Sequence, residues 1–93
     1  MKGEITARIE GFMRRYPVER IYATRQIEQF RISGRNGSIV FQSNRPFLRA
    51  NGLKLKRIDW KLIEGTLRSM SAKDALAQGL DEYVKQLEKE GKL

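Results

Sequence analysis

Nine cations crowd the middle of the chain. Arg31, Arg35, Arg45, Arg49, Lys54, Lys56, Arg57, Lys61 and Arg68 stand between residues 31 and 68, and only Asp59 and Glu64 oppose them. The flanks are nearly balanced: residues 1–30 carry six basic and four acidic groups, and residues 69–93 carry four and five. The excess of the +8 chain is therefore segregated. Uniform basicity serves solubility, whereas segregated basicity points to an acidic partner. Clustered ammonium and guanidinium groups can replace the counterions of phosphates, which is where most nucleic-acid affinity arises. The expected partner is thus the phosphate backbone of DNA or RNA. An acidic protein, or self-association, is the alternative. The expected contact residues are the first eight cations of the series, with Arg68 beyond them.

Covalent chemistry has few candidates. The chain contains neither histidine nor cysteine, which removes the commonest general base, the commonest metal ligand and any disulfide. What remains is Asp59-x-Lys61 in "IDWK", a carboxylate and an amine two residues apart on one side of a strand. This pair resembles the carboxylate–lysine element of metal-dependent nucleases of the PD-(D/E)xK type. The resemblance implies a Glu on a preceding helix, for which Glu10 is the only candidate, and a metal-binding Asp on the preceding strand. "SIVFQSN" has no such Asp, and too few oxygens remain to hold Mg²⁺. The expectation is therefore a binding module without catalytic residues, metal or cofactor, in which Asp59 and Lys61 pair as a surface salt bridge.

The elements that must position these cations are read from periodicity. In "EITARIEGFMRRY", Ile5, Ile9, Phe12, Met13 and Tyr16 fall on one stripe at 100° per residue, which predicts a helix over about 3–16 ended by Pro17. Glu4–Arg8 and Glu10–Arg14 would lace its wet side. The C-terminal segment repeats those offsets at Leu76, Leu80, Tyr83, Val84 and Leu87, predicting a helix over about 72–90 with Ser71 as N-cap, Asp74 in its first turn and Gly91 just past its end.

Between the helices the pattern alternates. "FRIS-GRNG-SIVF" reads as a hairpin with strands of about 25–33 and 38–43. A four-residue loop pairs Ile32 with Ile39, whereas an Asn36-Gly37 turn pairs Ile32 with Phe41. Upstream, "VERIYATRQIEQ" fits either a strand with a parity slip at Ile21 and Tyr22 or a short helix capped by Thr24. "SNRPFLRANG" reads as a connection. A third strand over about 53–63 changes parity inside "LKLKRIDWKL". A bulge at Lys56-Arg57 would keep Leu53, Leu55, Ile58, Trp60 and Leu62 on the core side.

The expected architecture is a single α+β domain of order α-β-β-β-α, with both helices on one face of an antiparallel sheet and the cations on or beside the wet face. That order resembles double-stranded-RNA-binding domains, which read helical shape. The lysines such a resemblance implies at the start of the last helix are reduced here to Lys73, followed by Asp74, and the loop histidine is missing. Of eight aromatics, six fit the core pattern, leaving Tyr22 and Phe47 as candidates for base stacking. Ile27 and Val40 fall on the wet face, where they could support self-association. "MKGEITARIEG" lacks the apolar core of a signal peptide, and no run reaches the ~20 apolar residues of a membrane span, so a cytoplasmic protein without membrane contact is expected.

Overall fold

The structure, a computed structural model, describes residues 2–93 and begins with a strand, not a helix. Residues Lys2–Ile9 form β1 and Phe12–Ala23 form β2, joined by a two-residue turn in which Glu10 and Gly11 both have positive φ, 53° and 82°. That is the backbone of a type I′ hairpin turn, whose twist suits antiparallel strands. The expected N-terminal helix is therefore corrected to a hairpin, and with it the α-β-β-β-α order and the likeness to double-stranded-RNA-binding domains. All residues of the helical stripe but Met13 also satisfy a period of two. Ile5, Ala7 and Ile9 alternate with Glu4, Thr6 and Arg8, and Tyr16 and Val18 lie opposite Ile5 and Gly3. Pro17 does not interrupt β2, because pairing with the next strand starts only at Val18.

β3 (Glu28–Gly34) and β4 (Gly37–Ser43) follow, then α1 (Arg45–Ala50), β5 (Trp60–Glu64) and α2 (Met70–Lys89). The five strands make one antiparallel sheet in sequence order, β1-β2-β3-β4-β5. The chain is thus a small α+β protein on an antiparallel sheet. The β3–β4 register pairs Phe30 with Phe41 and Ile32 with Ile39, as the longer loop requires. The parity slip near Ile21 is a bulge between Arg20 and Tyr22, and it lies at the end of β2. Thr24 caps a turn: its Oγ1 accepts from the backbone N–H of Gln26 and Ile27.

Two other expectations change. Residues 45–50 are helical where a connection was expected; Pro46 in the first turn and Leu48, buried in the core, account for it. The strand expected over 53–63 shrinks to Trp60–Glu64. Leu53 is exposed and Leu55 fully so, because the backbone of 51–59 pairs with no strand. α1 closes with Leu53 N–H donating to the Leu48 carbonyl and Gly52 N–H to that of Arg49, which turns the chain away from the sheet. The parity change between Leu55 and Ile58 falls in the unpaired segment 51–59 and needs no bulge at Lys56-Arg57; the irregularity of β5 lies at Ile63, where the β4–β5 register shifts.

α2 starts at Ser69, whose hydroxyl accepts from Ala72 N–H, two residues before the expected cap. It ends as expected before Gly91, with Lys92 N–H bonded to the Leu87 carbonyl. Its Leu76, Leu80 and Val84 share one core with Ile5, Ala7, Val18, Phe30, Ile32, Phe41, Leu48 and Ile58. α2 lies close against β1 at Gly79, where a Cβ would come within 2.6 Å of the Thr6 carbonyl oxygen. No described helix is long and apolar enough to cross a membrane.

Candidate nucleic-acid interface

The eight expected contact residues separate into different environments. Arg45 is interior, 7% exposed. Its Nε and Nη2 donate to the carboxylate of Glu28, itself 0% exposed, and its Nη1 donates to Glu88 on α2. Arg49 completes the relay with two bonds of its own to Glu88, 2.6 and 3.0 Å. Burial alone would lower the pKa of Arg45, but its bonds to Glu28 and Glu88 outweigh that and raise it. Burial alone would raise Glu88, yet Arg49 and Arg45 hold it below the ordinary carboxylate range. Glu28, Arg45, Glu88 and Arg49 therefore tie β3, α1 and α2 together. Arg45 is buried and engaged by two carboxylates, and it leaves the interface.

The rest are at the surface. Arg31 projects from the uncovered sheet face beside Glu19, 3.8 Å away. Lys61 lies on the same side and approaches Asp59 at 3.8 Å, both mostly exposed. Glu10 sits at the hairpin tip, far in sequence order from any helix, so the nuclease-like arrangement has no carrier for its Glu. The uncovered face is mixed in sign: Glu4, Glu19 and Glu64 alternate there with Arg8, Arg15, Arg31 and Lys61. Val40 faces the same way, between Arg31 and Glu64, and is only 2% exposed, while Ile27 lies in a turn. Lys54, Lys56 and Arg57 line a cleft between the α1–β5 loop and α2, but Asp74 and Asp81 share it, and Asp81 already pairs with Lys85 at 2.7 Å.

The other end of the strands is different. Arg14 and Arg15 from β2, Arg35 and Asn36 from the β3–β4 turn, and Arg68 from the β5–α2 connection line one open cleft of about 690 Å³ with Tyr16. Among the described residues none of these four guanidiniums is in an ion pair, and no carboxylate lines the cleft. Like charges gather at a cost, so four free guanidiniums around one cleft suit an anion. Planar guanidinium groups bind phosphate oxygens in bidentate fashion. Phe12 stands beside them, 66% exposed, with the Arg14 guanidinium 6.0 Å from its ring centroid. It is not the core residue the helical reading made of it. Tyr22 and Phe47 are also exposed, but Tyr22 lies at the opposite end of β2 and Phe47 on α1.

Of this cluster the sequence reading held Arg35 and Arg68. It missed Arg14 and Arg15, because a helix would have spread them over its wet side. The signal was the strand alternation, which puts Phe12, Arg14 and Tyr16 on one face and Arg15 on the other, at the same end of β2.

Tyr16 and Asn36 also line a second cavity of about 370 Å³ that adjoins the cleft. Ile9, Ile32, Ile39, Leu67 and Leu76 form the apolar part of its wall, and Ser38 and Thr66 add polar groups. Gly65, at φ 89°, closes one side, and a Cβ there would meet Ile39 Cγ2 at 2.6 Å. The site is thus a cationic cleft opening beside an apolar slot, at one end of an antiparallel meander. Comparison with protein-family models, curated proteins and solved structures finds no match for the chain.

Proposed function

We propose that this protein is a nucleic-acid-binding module that holds phosphates in the cleft of Arg14, Arg15, Arg35 and Arg68. The observation that carries the reading is the convergence of four unpaired guanidiniums from three separate segments with no carboxylate among them. The chain's formal charge of +8 supports it, since a surplus of cations accelerates encounter with polyanions. Arg35 remains from the contact set first read in the sequence. Lys54, Lys56 and Arg57 form a secondary contact, weakened by the acidic residues of α2.

The test is a titration of mixed-sequence single strands and duplexes at two salt concentrations. Four phosphate contacts on a single strand give a log–log salt slope of about −3. Arg14→Glu/Arg35→Glu/Arg68→Glu should abolish binding, and Lys54→Glu/Lys56→Glu/Arg57→Glu should weaken it far less. Absence of binding even at low salt would overturn the reading. A concentration-dependent mass in light scattering would then favour self-association.

A further inference from the structure

We infer that the apolar slot beside the arginine cleft receives one unpaired nucleobase, so that the preferred ligand is a single strand. This deepens the proposed function and rests on it. Phosphate binding alone requires no apolar cavity, yet the cleft shares Tyr16 and Asn36 with a slot of about 370 Å³. That volume lies at the lower end of the range of small-ligand pockets. The side chains of Ile32, Ile39 and Leu67 offer apolar contact to a ring. The Asn36 amide, at the mouth, supplies one donor and one acceptor group for a base edge. A base in a duplex is stacked and paired and cannot enter, whereas bases of single strands are free to splay into such sites. Phe12, exposed beside Arg14, offers a stacking surface to the next base.

Charge complementarity decides the occupant. Whatever fills the slot must also present anions to Arg14, Arg35 and Arg68 just outside it, and a nucleotide joins a flat ring to a phosphate by a short link.

Three probes of the wild-type protein separate the possibilities: a five-nucleotide oligothymidylate, an abasic strand of the same length, and octyl phosphate. The base-bearing strand should bind roughly tenfold or more tightly than the abasic one. It alone should shift the methyl NMR signals of Ile32, Ile39 and Leu67. Asn36→Ala, a change in an exposed turn, should cost the base-bearing strand more affinity than the abasic one and so narrow the gap between them. Equal affinity for the two strands would overturn the inference and leave the phosphate reading intact. Binding of neither strand would overturn both. Slot methyl shifts larger with octyl phosphate than with the thymidylate strand would overturn the nucleobase as the occupant.

Discussion

Glu88 is the residue whose protonation reaches furthest through the fold. Its carboxylate accepts from both Arg45 and Arg49, and these bonds outweigh burial to hold its pKa below the unfolded value of about 4.3. A depressed folded pKa contributes stability above the unfolded pKa, and that stability is lost as pH falls through the folded one. Thermal unfolding should show the melting temperature falling between about pH 5 and pH 3, with a shallower fall in Glu88→Gln. A slope identical in the two proteins would disprove the assignment. Arg45→Ala leaves the buried Glu28 carboxylate with only Arg20 at 3.5 Å and the Ser43 hydroxyl, at a cost of about 3 kcal/mol in urea denaturation. Arg31→Ala removes only an exposed pair and should cost at most about 1 kcal/mol. Glu10 presents the opposite case. It occupies a left-handed conformation without being glycine or asparagine. Glu10→Asn should raise stability by about 0.5–1 kcal/mol, read as a higher urea midpoint at unchanged slope.

Between elements, the closest approach is that of α2 to β1. Gly79→Ala gains about 1 kcal/mol of helix propensity but drives a methyl against the Thr6 carbonyl, which belongs to the sheet backbone and yields little. The clash should win, giving a net loss of about 1–2 kcal/mol and lost protection in hydrogen exchange along β1. The same contact explains why the N-terminal segment misleads. Its apolar residues fit periods of 3.6 and 2 alike. What decides is the partner: Ile5 and Ala7 bury against α2, residues 70–89, which no window on residues 3–16 contains. The β3–β4 hairpin was legible, since Phe30, Ile32, Ile39 and Phe41 with "GRNG" need no distant information. α2 was legible for the same reason. The short strand β5 was not, because Leu53 and Leu55 alternate with lysines like a strand but find no neighbour to pair with. The arginine cleft was only half visible, since Arg14 and Arg15 join Arg35 and Arg68 through the very hairpin that the helical period concealed.

Across the whole molecule, the arginine cleft lies at one end of the strands and Lys54, Lys56 and Arg57 line a separate cleft against α2, while the uncovered sheet face is mixed in sign. Charge reversal at Arg68 alone should therefore lower nucleic-acid affinity and reduce the salt slope by about 0.7 for a single strand, whereas reversal at Arg31 should change neither appreciably. The sheet order has a different consequence. Every strand pairs with its neighbour in the chain, so the first four can form hairpin by hairpin with short loops to close, the arrangement that favours rapid folding. β5 alone returns across the longer segment 44–59 that carries α1. Only one major contact spans most of the sequence, the docking of α2 on β1. During synthesis the oily flank of the first hairpin must therefore wait, bare to water, until residues 76–84 emerge from the ribosome, and a pause in translation just before them would expose its tacky surface to chaperones or to its own neighbours.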